Sequence, residues 1–382
     1  MIPGLDGLRA IAFLMVFGFH TDYFQFGWLG VQMFFVLSGY LISGILLQMK
    51  RRLPPAAYFL KFYVRRFLRI FPLYYFYLFL VFVVAQGLLF LAFKPKAMQA
   101  TLDQLRYAAL YVYNFYSAHQ AFNSSRFLDH LWSLSVEEQF YIFWPLLIFF
   151  VPEKRLKALF LAGIFAGPAC RLAAFLIYQS GMVESLRDPA PLAVYPLPFS
   201  YIDAFAFGAY IARFSIPHAR RQLTWLGLGI PLLGFASQFA ANGRFEPLLT
   251  LGYPDAMPDA YQYLWGYTLV SYWFMLLIYC VAREGLFLPF LEWAPLRYLG
   301  KISYGLYIYH FPIIWLVSQV VELNLTGRLA AASIAPVSLI ISIIAASASY
   351  FFVEKPFLSL KERLASYSGV SASAVVDGVK QQ

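Results

Sequence analysis

The stretch GLRAIAFLMVFGFHTD, residues 7–22, reads as an apolar helix, yet it carries Arg9 near one end and His20 near the other. Its solvent decides the fold. Apolar runs of this kind recur as far as residue 352, and a hydrocarbon core of about 30 Å needs about twenty helical residues to cross it. With 61% hydrophobic and only 13% charged residues, the 382-residue chain has too little polar surface for a soluble domain. The aromatic share of 20% suits interfacial belts and stacked helix faces. The expected fold class is therefore an all-α integral membrane protein.

Working outward from that segment, ten transmembrane helices are expected, near 7–24, 28–48, 70–92, 131–151, 157–178, 199–215, 222–240, 261–281, 299–320 and 329–352. The piece RYAALYVYNFYS at 106–117 reads as an interfacial helix. No basic n-region precedes the first apolar run and no small-x-small site lies before Trp28, so it reads as a retained helix rather than a signal peptide. Twenty lysines and arginines fall in the loops at 50–69, 154–157, 213–221, 283–301 and 355–380, against seven at 94–126, 187, 244 and 328. That asymmetry predicts that the N- and C-termini are both cytoplasmic. The net charge of +10 is thus a topology signal with attraction to anionic lipid, and does not point to nucleic acid. Residues 1–365 read as one transmembrane domain and 366–382, SYSGVSASAVVDGVKQQ, as a disordered cytoplasmic tail. Cys170 and Cys280 lie far from each other and from any ligand-spaced histidine, so neither a disulfide nor a metal site is expected.

An ionisable side chain in hydrocarbon costs at least ~2.5–3.5 kcal/mol, so each survivor needs a partner or a task. Arg9 and His20 are eleven residues apart, about 16 Å of rise and close to three turns, and project from one face. In DHLWSLSVEEQFYIFWP, Ser133, Glu137 and Tyr141 recur at i, i+4 and i+8, with Glu137 expected at the depth of His20 and Glu138 as the solvated neighbour. Arg171 and Asp203 enter from the outer side on successive spans and could neutralise one another. In GKISYGLYIYHFP, Ser303, Tyr307 and His310 recur at i, i+4 and i+7. Together these predict a polar file across the bundle. On the cytoplasmic side, FYVRRFLRIFP places Arg66 and Arg69 three residues apart, with Arg65 and Lys61 nearby, and guanidinium forks of this kind suit phosphate oxygens. Plainer readings stand beside these: Arg9 and the RRFLR run as snorkelling or positive-inside anchors, Arg171 with Asp203 as a structural ion pair, and His310 as a neutral imidazole bonded to a neighbouring tyrosine.

These residues resemble the membrane acyltransferase family 3, whose members O-acylate glycans, lipids and small molecules. The resemblance rests on LDGLRAIAFLMVFGFH with its Arg, ten residues, His pattern, then GWLGVQMFFVLSGYLIS, VRRFLRIFPLYY, LWSLSVEEQFYIFWP, IDAFAFGAY, LGKISYGLYIYHFP and FFVEKPF, in order along nearly the whole chain. One position departs: the family usually has Arg two residues before the Asp of IDAFAFGAY, and here Tyr201 stands there. Arg171 could supply the missing charge. The resemblance implies a bacterial inner-membrane enzyme that moves an acyl group, acetyl in the first instance, from cytoplasmic acyl-CoA to a hydroxyl of a glycan, lipid-linked saccharide or small molecule on the outer side, without a metal. Arg66 and Arg69, helped by Arg65, would hold the CoA phosphates.

Acyl transfer to an alcohol needs a base for the hydroxyl proton and a donor for the oxyanion. His20 is the expected general base, oriented by a carboxylate such as Glu137, with Arg9 or Arg171 stabilising negative charge; His310 could serve the thioester side. An acyl-enzyme through Ser38, Ser133 or Ser303 remains open beside direct transfer, although no G-x-S-x-G motif is present. The rival class is a proton-coupled transporter or flippase partner, in which the same buried groups would relay protons. The loops at 93–130, 179–198 and 241–260 are the expected determinants of the acceptor.

Overall fold

In the computed structural model, residues 3–119, 125–183, 190–324 and 327–364 are described. Apolar runs punctuated by Pro, Gly and charge clusters make every regular element among them helical. The order is α1 (Leu5–His20), α2 (Leu29–Arg52), α3 (Pro55–Phe90), α4 (Pro95–Ala109), α5 (Tyr113–His119), α6 (Leu131–Phe150), α7 (Leu156–Gln179), α8 (Ala190–Val194) and α9 (Ile202–Arg213). There follow α10 (Ala219–Asn242), α11 (Gln262–Glu284), α12 (Leu288–Leu291), α13 (Ala294–Lys301), α14 (Ser303–Asn324), α15 (Gly327–Ser349) and α16 (Lys355–Leu364). A π-helical turn, Tyr350–Glu354, joins the last two.

Seven described helical segments are long and apolar enough to cross a membrane: α2, α3, α7 with its leading turn, α10, α11, the Ser303–Val321 part of α14, and Ala332–Leu360. The ten expected spans include three more, which correspond to α1, α6 and α9. Two of these are short: the 16 residues of α1 and 12 of α9 rise about 24 Å and 18 Å. The third, α6, has the length but is diluted by Ser133, Ser135, Glu137, Glu138 and Gln139. Two of them, α1 and α9, need little contact with lipid because others wrap them, while α6 buries its polar first half and turns Ile142, Phe143, Leu147 and Phe150 outward. Leu8, Phe13, Val16, Ala204, Phe205 and Ile211 are all buried, whereas α7 turns Phe165, Leu172 and Leu176 outward and α10 turns Trp225, Leu228 and Leu232 outward. A polar centre is thus sheathed by an apolar ring, the arrangement a bilayer demands of irregular or short elements.

Other boundaries depart from the expectation for local reasons. The third span is longer than 70–92, since Pro55 opens a 36-residue helix that includes Lys61, Arg65, Arg66 and Arg69. The 106–117 piece is not one helix: α4 ends, Tyr111 adopts φ 52°, and its ring stacks on Tyr74 at 4.3 Å before α5 begins. The span at 299–320 is likewise divided at Ile302. The tail at 366–382 lies outside the described residues.

Two contacts fix the centre. At the α2–α9 crossing, a Cβ on Gly39 would sit 2.2 Å from the Phe205 carbonyl oxygen and one on Gly208 2.1 Å from that of Val36, so only glycine lets these backbones meet. Beside it, Arg171 of α7 and Asp203 of α9 form a fully buried ion pair at 2.9 Å. Arg171 also donates to the Ser200 and Leu264 carbonyls and to Thr268 Oγ1, and Thr268 donates to Asp203 Oδ2 at 2.6 Å. Tyr201, standing where the family pattern has Arg, stacks on Tyr267 at 6.0 Å while Arg171 supplies the charge opposite Asp203.

Candidate active site

Three central elements each carry a polar file: Arg9 and His20 on α1; Glu137, Ser133 and His130 on α6 and the residue before it; Ser303, Tyr307 and His310 on α14. Apart from His310, the files line two cavities. The first, about 230 Å³, is bounded by Arg9, Arg66, Arg69, Ser38, Ser133, Glu137, Glu138, Tyr141, Ser303, Tyr304 and Tyr307 above an apolar wall from α2. The second, about 450 Å³, is bounded by His20, Trp28, Arg126, Asp129, His130, Trp132, Tyr195, Asp255, Tyr307 and Phe311. Tyr307 and Val31 border both.

In the first cavity three guanidinium groups converge. Arg9 pairs with Asp6 one turn earlier at 2.9 Å, and Arg69 faces Glu354 at 3.9 Å. The π turn before α16 brings Glu354 inward to 2% exposure, a placement α-helical periodicity does not predict. Arg66 lies over the Tyr141 ring at 5.6 Å, and its Nε has no hydrogen-bond partner. Arg65, adjacent in sequence and so about 100° round the helix, does not border the cavity. Ser38 and Tyr141 donate their hydroxyl protons to Glu137.

The second cavity gathers histidines. His20 Nδ1 lies 2.9 Å from His310 Nε2, and the His130 ring centre is 5.6 Å from that of His310. Pro312 explains how His130 is held. Proline has no N–H to give the carbonyl four residues back, Ile308, and His130 Nε2 donates to that oxygen at 2.9 Å instead. Between the cavities, Ser133 Oγ lies 3.0 Å and the Tyr307 hydroxyl 3.4 Å from the His130 carbonyl oxygen, and the two hydroxyls share a 2.5 Å hydrogen bond. Among the described residues, no group of three or more His, Cys, Asp or Glu is arranged to hold a metal ion.

A family described as "Acyltransferase domain", the acyltransferase 3 family, matches residues 2–347. The chain belongs to this acyltransferase family. It is 32% identical over 378 residues to a Bacillus subtilis (strain 168) protein named "Putative peptidoglycan O-acetyltransferase YrhL", covering 93% of this chain and 54% of that one. "O-acetyltransferase OatA" of Staphylococcus aureus (strain NCTC 8325 / PS 47) is 29% identical over 370 residues, covering 93% and 57% respectively. "Peptidoglycan O-acetyltransferase OatA" of Listeria monocytogenes is 29% identical over 341 residues, covering 85% and 51%. The chain thus spans little more than half the length of these relatives. No solved structure is significantly similar to it.

The structure gathers Arg9, Arg66, Arg69, Ser133, Glu137, Tyr141, Ser303 and Tyr307 around one cavity, but it separates Glu137 from His20. Glu137 is seven residues along α6 from His130, about 10 Å of rise, and it is His130 that stands level with His20. The expected oxyanion donors are also displaced. Arg9 lies about 16 Å along α1 from His20, and Arg171, locked to Asp203, borders neither cavity. Nor is Glu138 the solvated member of its pair: it is buried at 8% exposure, and Glu137 is the more open one. His130 went unread although His130, Ser133 and Glu137 fall at i, i+3 and i+7, a legible face. Arg126, Asp129 and Asp255 come from connecting segments with no periodic signal.

Proposed function

We propose that this chain is a membrane O-acyltransferase that carries an acetyl group from cytoplasmic acyl-CoA to a hydroxyl of a glycan, such as peptidoglycan, on the outer side. The observation that carries it is the pair of cavities meeting at Tyr307, one lined by guanidinium groups and the other by imidazoles, indoles and carboxylates. The excess of lysine and arginine in one set of loops supports a cytoplasmic position for the arginine-lined cavity. Arg66 and Arg69 offer forked donors to the CoA phosphates, and Arg9 adds a third cation, while the pantetheine arm extends toward Tyr307. In the outer cavity, Trp28, Trp132 and Tyr195 present flat apolar faces to a sugar ring and Asp129 and Asp255 accept from its hydroxyls.

In direct transfer, His20 takes the acceptor hydroxyl proton as that oxygen attacks the thioester carbonyl carbon. The Tyr307 hydroxyl, at the junction, donates to the developing oxyanion. The carbon–sulfur bond then breaks, the ester stays on the acceptor, and His20 returns the proton to the CoA sulfur. The relatives' names support acetyl as the group and peptidoglycan as the acceptor.

Full-length protein in proteoliposomes, given acetyl-CoA on the cytoplasmic side and peptidoglycan fragments on the other, is expected to release free CoA in proportion to acetylated glycan. His20→Ala should abolish both. Acetylation that persists in His20→Ala would overturn the reading of His20 as the base.

A further inference from the structure

We propose that His310 is a positioning residue that sets the tautomer of His20, so that the basic nitrogen of His20 faces the outer cavity; this rests on the reading of His20 as general base. Two backbone facts decide the protons. His310 Nδ1 lies 2.7 Å from the Tyr307 carbonyl oxygen, which can only accept, so Nδ1 carries the proton and His310 Nε2 carries the lone pair. That lone pair lies 2.9 Å from His20 Nδ1. Two lone pairs would repel at this distance, so His20 Nδ1 is protonated and donates to His310.

The consequence falls on the other nitrogen of His20. Nε2 is left unprotonated, and none of the described residues' hydrogen bonds engages it, on a side chain that borders the outer cavity. His310 itself is fully buried behind it, edge-on to Phe13 at 5.7 Å and 87°, and borders neither cavity. It therefore touches neither acceptor nor donor. When His20 Nε2 takes the hydroxyl proton, its Nδ1–H stays bonded to His310 Nε2, whose lone pair stabilises the imidazolium until the proton passes to the CoA sulfur. The part expected of the Glu137 carboxylate is thus taken by a neutral imidazole, which adds no second charge to a buried site.

The test is nitrogen NMR of the full-length chain in nanodiscs with labelled histidine, assigning His20 by its loss in His20→Ala. The expected result is His20 protonated at Nδ1 and unprotonated at Nε2; the reverse tautomer overturns the inference. In turnover, His310→Gln, whose amide oxygen can stand where Nε2 stood, should keep most of kcat. His310→Leu, without an acceptor, should lose about a hundredfold in kcat with the KM for acyl-CoA unchanged. Unchanged kcat in a folded His310→Leu overturns the inference alone, whereas turnover surviving His20→Ala overturns the base reading together with it. The wild-type tautomer decides even if His310→Leu fails to fold.

Discussion

The Tyr307 hydroxyl lies 2.5 Å from Ser133 Oγ at the place where the two cavities meet. One side chain of α14 and one of α6 thus form the partition between an arginine-lined chamber and a histidine-lined one. A phenol there can turn from Ser133 to a carbonyl oxygen without losing a hydrogen bond. Tyr307→Phe should lower kcat by about 100–1,000-fold, the scale of one lost oxyanion donor, while leaving the KM for acyl-CoA near wild type. Stopped-flow detection of free CoA separates the two constants. A raised KM at unchanged kcat would place the hydroxyl in binding instead.

At the donor side, Arg66→Ala should raise the KM for acetyl-CoA about 10–100-fold, as expected for loss of a charge-assisted hydrogen bond. Arg66→Lys should recover part of it, because a point charge remains but the fork does not. The same substitution should hardly move binding of a pantetheine thioester lacking the nucleotide. An equal effect on both donors would mean that Arg66 holds the fold and not the phosphates.

At the acceptor side, Asp255 is exposed and borders the outer cavity. Asp255→Ala should raise the KM for the glycan about tenfold or more and leave that for acetyl-CoA unchanged. Initial rates with each substrate varied in turn provide the check.

The Arg171–Asp203 pair should behave as structure. Asp203→Ala leaves a guanidinium buried opposite an empty place and should cost about 3–5 kcal/mol, lowering the melting temperature in detergent sharply. Replacing both by apolar residues of similar volume, as in Arg171→Met with Asp203→Leu, should recover much of that loss. If the double variant melts no higher than the single one, the hydrogen bonds from Arg171 to Ser200 and Leu264 are the greater contribution.

Gly208→Val should be worse than any of these for expression. Its Cβ would fall 2.1 Å from the Val36 carbonyl oxygen, backbone against backbone, where neither α2 nor α9 can yield without parting. Yield of monodisperse protein on detergent size exclusion measures it, and a normal yield would show that the crossing tolerates a side chain.

Much of the site was legible because it is written at helical spacing. Ser133 with Glu137 and Tyr141, Ser303 with Tyr307, and Arg66 with Arg69 each share a face by local geometry, and each pair or trio does border one cavity. Arg171 opposite Asp203 was legible for another reason, since two charges placed in apolar runs at one depth have few other partners. Glu354 was hidden by a π turn that displaces its face. His130 shares the legible face of Ser133 and Glu137, but its partner, a carbonyl freed by Pro312 on another element, has no local signal. The pairing of Glu137 with His20 failed because depth was counted from assumed ends of two helices, and an error of two turns is about 11 Å.

The opening stretch shows the division. By itself the sequence determined that the stretch from Gly7 to His20 is apolar helix in a membrane protein, that Arg9 and His20 lie on one helix about 16 Å apart, and that basic loops are concentrated in alternate connections. Those are properties of composition and of a single helix, set by hydrocarbon thickness and by 3.6 residues per turn. Only the tertiary structure decided that His20 meets His310, 290 residues away, and that Glu137 does not reach it. Which faces of α1, α6 and α14 oppose one another depends on contacts such as Gly39 against Phe205 and on buried pairs such as Arg171 with Asp203, and no local pattern encodes those distances.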